Sequence, residues 1–275
     1  MKWVLAAALL ITAPAAAKTF DPGVPARAGH IMSLKVCTDE LLLDLVPIDR
    51  IASVTFLSRE KASLAQWPQG AKVAVNHNTA EEILSTHPDL ILTDSFTAPG
   101  LRAILAKSGA RVLEVPPADN WEQIRAVTRQ VAQAVGEEAR GEALIAKMDA
   151  TLRDVAAHRP SRPVTVADWG GGGFVAGTGG LFDVLLTTVG ARNIERGSFA
   201  YYDVETLLAK NPDALVYGNS YAGTASLRAD QDLHPALMRR YAGRRVSYSG
   251  LYGCGVPETA EVARRLQQAL AQVPR

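Results

Sequence analysis

The chain has 275 residues with 29 basic and 28 acidic side chains, a formal net charge of +1, and two cysteines. That balance excludes the basic excess expected of a nucleic-acid binder, and the length suffices for two modest cores or one large domain. Residues 1–17 read as a signal for export. Lys2 gives a positive start, residues 4–11 a short apolar run, and Ala15, Ala16 and Ala17 small residues for cleavage before Lys18. The apolar run is far shorter than the ~20 residues of a spanning helix. No cysteine follows the cleavage site to carry a lipid, and no later segment looks membrane-spanning, so the exported chain is not expected to be membrane-inserted.

Strand-like and helix-like runs then alternate. The pattern predicts strands over 30–36, 50–55, 90–93 and 111–115, and helices over 39–45, 79–85 and 101–108. Such alternation implies βαβ units and parallel sheets. A helix over 121–135 places Ile124, Val127, Val131 and Val135 on one face, Gly136 interrupts it, and a second helix runs over 137–158. A helix of that length spans ~30 Å and would act as a stiff strut, which a Gly/Ser linker would not.

An internal repeat sets the organisation. Segments 81–92 and 205–216 share an acidic residue (Glu81, Glu205), a short helix, a Pro-Asp pair (Pro88-Asp89, Pro212-Asp213) and an apolar strand. Proline ends each helix because it lacks an N–H and restricts the residue before it. Segments 45–51 and 188–194, and 108–112 and 242–246, repeat in the same order. The expected fold is therefore α/β, with two Rossmann-like lobes of parallel sheet joined by a long rigid helix and a ligand cleft between them. The boundaries are a signal peptide at 1–17, an N-terminal lobe at 18–135, a linker helix at 136–160 and a C-terminal lobe at 161–275.

In this order the features resemble the helical-backbone (class III) periplasmic binding proteins of ABC importers, in the iron-siderophore and cobalamin class. The resemblance rests on Ile31, Met32, Ser33 and Leu34 with Thr38 to Leu42, on the strand at 50–54, on the two Pro-Asp repeats and linker helix, and on Cys254-Gly255-Val256-Pro257 before a last helix. It implies a monomer in the periplasm that delivers a bulky metal chelate, a corrinoid or ferric siderophore, to an ABC transporter permease dimer. It also implies that Glu81 and Glu205 dock onto arginines of that permease. Glu82 reads instead as the partner of Thr79 in a capping box.

Ligands of open α/β sheets bind beyond the carboxyl ends of the strands. Phe56, Arg59, His77 and Phe96 fall in such loops of the first lobe; Trp169, Gly171, Tyr201, Tyr202, Tyr221 and Tyr252 fall in those of the second. The whole chain is only 6% aromatic, so this clustering points to a bulky, partly apolar ligand. Arg59 is the main cation of these loops, which favours a neutral chelate over a tris-catecholate. Haem is the alternative, with a Tyr or His axial ligand; a ligand-sensor subunit or a secreted enzyme are others. The glycine run at 170–173 lacks the Lys-Ser/Thr of a phosphate loop. No catalytic residues, protein-held metal or cofactor are assigned: there is no nucleophile elbow, and the five histidines do not converge as a metal site needs. Cys37 and Cys254, each expected in a strand-end loop, are expected to pair in an oxidising compartment; the alternative is two separate buried thiols.

Overall fold

A computed structural model of the chain describes residues 28–169, 171–218, 233–248 and 253–274. The signal segment, Tyr221 and Tyr252 lie outside these residues. The first lobe is a parallel sheet of β1 (Ile31–Ser33), β2 (Ile51–Thr55), β3 (Val75–Asn76), β4 (Leu90–Asp94) and β5 (Arg111–Val115), in the spatial order β3-β2-β1-β4-β5. Leu90, Ile91 and Leu92 are all fully buried, as a central parallel strand covered on both faces requires. Leu90 and Leu92 join one core with Ile31, while Ile91 joins Met32, Ile83 and Leu105 on the other face.

The first helix, α1 (Val36–Leu45), begins three residues before the predicted start. Residues 36–39 are thus helix rather than a cleft loop, and Cys37 sits in its first turn. Thr38, a polar residue that resembled a loop position, is satisfied internally. The Thr38 hydroxyl donates to the Lys35 carbonyl (2.9 Å) and meets the Ser33 hydroxyl (2.7 Å). α2 (Lys61–Gln66), α3 (Ala80–Thr86) and α4 (Pro99–Leu105) complete the lobe.

The second lobe is a parallel sheet of β6 (Thr165–Asp168), β8 (Arg192–Asn193), β10 (Ala214–Gly218) and β11 (Arg245–Tyr248), in the order β11-β10-β6-β8. An antiparallel ribbon of β7 (Phe174–Ala176) and β9 (Phe199–Tyr201) stands beside it. Its helices are α7 (Leu181–Val189), α8 (Val204–Lys210) and α9 (Pro235–Arg240). The order β8-β6-β10-β11 retraces β2-β1-β4-β5, so the repeat in sequence is a repeat in topology. It extends to single residues. Thr79 and Asp203 cap α3 and α8 through their side chains, and His87 and Asn211 end them in left-handed conformations, each at φ 47°. Pro88 and Pro212 are buried behind them. The Asp89 carboxylate then accepts from the Gly29 amide (3.1 Å), and Asp213 from the amide (2.8 Å) and hydroxyl (2.7 Å) of Thr165. Gly109 and Gly243, in the turns before β5 and β11, both have positive φ.

The lobes are joined by more than the expected single strut. After α5 (Trp121–Val135), the 20-residue α6 (Glu138–Ala157) rises ~30 Å. It buries Ile145 and Met148 in the first core and Val155 in the second. The last helix, α10 (Thr259–Ala271), does the same, with Ala260 in the first core and Val262, Leu266 and Leu270 in the second. The two helices run parallel: Lys147 pairs with Glu258 (3.4 Å) at one end, and Gln267 donates to the Val155 carbonyl (2.8 Å) at the other. Cys254 and Val256 also lie in the first core, so the chain returns to its first lobe before α10. A disulfide joins Cys37 to Cys254, with Cα atoms 5.1 Å apart. No helix among the described residues is long and apolar enough to cross a membrane.

Candidate ligand-binding cleft

In each lobe the strand order reverses at one point, between β1 and β4 and between β6 and β10. The crevice outside the carboxyl ends of those strands is where open α/β sheets take ligands. At the first switch point Lys35, just after β1, pairs with Asp94, the last residue of β4 (3.2 Å). Asp94 also accepts from the Phe96 amide (3.0 Å), which fixes the turn that leaves the Phe96 ring 76% exposed.

Beside it, Phe56 follows β2 and is about half exposed. It stacks face to face on the His77 ring, centroids 5.4 Å apart and planes 13° apart. His77 follows β3, and Glu82 holds it twice: its amide donates to Oε2 (2.9 Å), and its Nδ1 lies 3.1 Å from Oε1. The same carboxylate accepts from the Thr79 amide and hydroxyl, completing the predicted capping box. These hydrogen bonds, led by the one from the His77 amide, lower the Glu82 pKa to about 2. Arg59 is less available than its charge implies, since its guanidinium donates to the Val73 carbonyl (2.6 Å).

A buried polar layer lies under this floor. Asp39, on α1, accepts through one oxygen from the Thr55 amide (3.0 Å), the Thr55 hydroxyl (2.5 Å) and the Ser58 hydroxyl (2.8 Å). Those bonds pin the turn carrying Phe56. Its other oxygen is buried without a hydrogen-bond partner, and burial raises its pKa to about 6.

In the second lobe the ribbon carries the rings. Phe174 stacks on Phe199 (6.0 Å between centroids) and meets Tyr201 edge-on (5.8 Å). Phe199 and Tyr201 are 59% and 67% exposed. Gly171 opens the short turn into this ribbon, where Gly172 (φ 79°) and Gly173 (φ 76°) take left-handed conformations that a side chain would oppose. Asp168 ends β6 at the switch point; burial alone pushes its carboxyl up to about 7.

Two predicted aromatics are corrected. Trp169 is 1% exposed, packed with Tyr241, Leu207 and Leu237 under the sheet, so it is core and presents no surface to a ligand. Tyr202 is also buried; its hydroxyl donates to Glu195, and the Lys210 ammonium lies 5.1 Å over its ring. Both follow a strand, but alternation turns their side chains inward. Glu81 and Glu205 are exposed in the first turns of α3 and α8, at equivalent places of the two lobes. Sequence reasoning did not single out Lys35, Asp94, Asp39 or Asp168. A depression against Pro160, Val164, Gly190 and Leu270 lies at the opposite end of the second sheet, away from these strand ends.

Comparison with solved structures returns the same architecture. The periplasmic heme-binding protein RhuT from Roseiflexus sp. RS-1 matches at 22% identity with a TM-score of 0.72, covering 90% of this chain and 100% of that one. The periplasmic heme-binding protein HutB of Vibrio cholerae matches at 22% identity and a TM-score of 0.72, over 88% and 98%. The periplasmic vitamin B12-binding protein BtuF of Vibrio cholerae matches at 16% and 0.66, over 89% and 97%. No curated protein sequence matches the chain. The family model described as "periplasmic binding protein" matches residues 31–234. With two lobes of repeated topology joined by a pair of long shared helices, the chain belongs to the periplasmic binding protein family, in its helical-backbone class.

Proposed function

We propose that this chain, exported and cleaved near Ala17, captures a bulky and largely neutral metal chelate of corrinoid or ferric-siderophore type and delivers it to an ABC importer. One observation carries the reading. Exposed rings stand on both lobes, Phe56 and Phe96 after strands of the first sheet and Phe199 and Tyr201 on the ribbon that follows β6 in the second, while the cations Lys35 and Arg59 of the first lobe are already engaged by Asp94 and the Val73 carbonyl. Open aromatic faces, with Lys35 and Arg59 engaged among the described residues, suit a large apolar ligand better than a polyanion. The role is binding, without catalysis.

The test is a titration of the mature protein with cyanocobalamin, a ferric hydroxamate and haemin, read by quenching of intrinsic fluorescence. A coloured chelate in the cleft quenches by energy transfer even though Trp169 is buried. Binding tighter than ~10 μM, about 7 kcal/mol, is expected for one of the first two, weakened by F96A and by Y201A. Absence of quenching by all three at that concentration refutes the reading.

Haem is the second reading, favoured by His77. A carboxylate that holds Nδ1 leaves Nε2 as the ring nitrogen for a metal, the usual partner arrangement of a ligating histidine; RhuT and HutB carry haem-binding in their names. A haemin spectrum whose Soret band shifts in H77A decides for it. Glu81 and Glu205 are the proposed docking pair for the permease. E81K/E205K is expected to abolish uptake in cells and leave ligand affinity unchanged; lost affinity would refute that assignment, and retained uptake would leave the importer role without support from these residues.

A further inference from the structure

We infer that Asp94 is a specificity-determining residue of the cleft: by holding the Lys35 ammonium at the first switch point it withholds that charge from a ligand, and so selects against anionic chelates. The inference rests on the capture reading above and names the residue that sets the charge of the cargo.

Lys35 follows β1 and Asp94 ends β4, the two strands that flank the switch point. The Lys35 ammonium lies 3.2 Å from Asp94 Oδ1, and the two side chains are 30% and 24% exposed, so both reach the surface of the crevice. The same oxygen accepts from the Phe96 amide (3.0 Å). One carboxylate thus sets an exposed ring and the charge beside it. A second cation at this edge is matched as well. Arg102 of α4 donates to the Ser95 carbonyl (2.7 Å) and the Thr97 carbonyl (2.9 Å) and pairs with Glu114. A ligand that meets Phe96 therefore meets paired charges.

The needs of the fold do not account for this pair. Partly exposed ion pairs contribute little to stability. The Phe96 turn is also held by Arg102 and by Thr97, whose hydroxyl donates to the Asp94 carbonyl (2.9 Å). Lys35 precedes α1 without a side-chain capping bond. The internal repeat supplies the comparison. The strand registers make positions 35 and 94 equivalent to 170 and 218, and both of those are glycine. The second sheet builds the same switch point with neither charge. What the pair does is electrostatic. A multivalent anion over Phe96 is drawn by Lys35 and repelled by Asp94 from nearly the same distance, so the two contributions almost cancel. A neutral chelate feels neither. Specificity is a difference of affinities, and a fixed charge set against the wrong ligand is one way to create it.

D94N separates charge from geometry, because asparagine keeps an accepting oxygen for the Phe96 amide and removes the negative charge. The wild-type protein, D94N and K35M/D94N are titrated with a trianionic ferric tris-catecholate, a neutral ferric hydroxamate and cyanocobalamin, read by fluorescence quenching. D94N should bind the tris-catecholate about tenfold tighter than wild type at low salt. The gain should vanish in K35M/D94N and shrink in ~0.5 M sodium chloride, while the neutral ligands bind D94N as they bind wild type. Unchanged tris-catecholate affinity in D94N overturns the inference, as does a gain that survives in K35M/D94N. Equal weakening of all three ligands by D94N would assign Asp94 to holding the Phe96 turn alone, and also overturns it. A second measurement needs no chelate to bind. Hexacyanochromate(III), a paramagnetic trianion, broadens nearby amide resonances. Broadening at Lys35 and Phe96 should increase in D94N and revert in K35M/D94N; no increase overturns the inference. If none of the chelates binds any of the proteins, the capture reading fails while the broadening still decides the role of Asp94.

Discussion

Among the described residues, four carboxyl groups are withdrawn from water. Burial is the leading cause for each: Asp39 and Asp44 rise to about 6, Asp168 to about 7, and Glu40 moves well upward, with Asp39 and Asp44 adding like charge. In the unfolded chain such groups titrate near 4. Between roughly pH 4 and pH 7 the folded protein therefore holds protons the unfolded chain has released, and stability falls as pH rises through that window. Glu82 acts in the opposite sense. Its lowered pKa of about 2 gives stability present at neutral pH and lost only as pH falls below about 4, and its partly exposed site keeps that contribution small. The melting temperature, followed by circular dichroism, is therefore expected to be higher at pH 5 than at pH 7.5, and D168N should shrink the difference. A steady fall from pH 7.5 to pH 5 would contradict the raised pKa that burial gives Asp168. None of this was legible in the sequence. An acid in an apolar stretch reads the same whether its side chain reaches water or not, and Trp169 and Phe96 likewise look alike as strand-end aromatics until alternation puts one inside and the other out.

Legibility improves at the level of the element, where the chemistry is local. The capping box at Thr79, the proline stops at Pro88 and Pro212, and the matching strands β4 and β10 all follow from residue types at fixed spacing. The ribbon of β7 and β9 does not, because each strand has three residues and only their pairing makes them strands. The close packing of α5 on α6 was also invisible. Gly141 lies where α6 crosses Ala132 of α5, and a Cβ added there would meet the Ala132 Cβ at 2.6 Å. That contact is backbone-borne on both sides, so neither helix can yield by rotating a side chain. A valine at 141 must push the helices apart and loosen Val131 and Ile145, both buried in the same core. G141V is expected to cost about 2–3 kcal/mol, in the range of overpacked cores, read as a lower urea midpoint at unchanged slope. G141A should cost less, because better helix propensity offsets part of the clash.

For the whole molecule, the sequence shows two lobes but not how firmly they are coupled. Two similar α/β units joined by one strut would be expected to melt separately. Here the helices are shared: α6 and α10 each bury side chains in both cores, Leu181 of α7 packs into the first core from the second lobe, and Trp121 of α5 donates to the Thr188 hydroxyl of α7 (2.9 Å). Unfolding either lobe strips apolar surface from the other, so the protein is expected to unfold in one transition, with circular dichroism and fluorescence midpoints that coincide. The disulfide acts on the same equilibrium from the unfolded side. It closes a loop with a sequence separation of 217, for which the chain-entropy model gives about 5 kcal/mol. Reduction should lower the urea midpoint accordingly and raise the slope, because the unfolded chain loses a long cross-link and exposes more surface. The transition should stay single in the reduced protein, since the coupling of the lobes lies in shared helices rather than in the bond. Two separated transitions after reduction would show that the cross-link, and not α6 and α10, makes the lobes one cooperative unit.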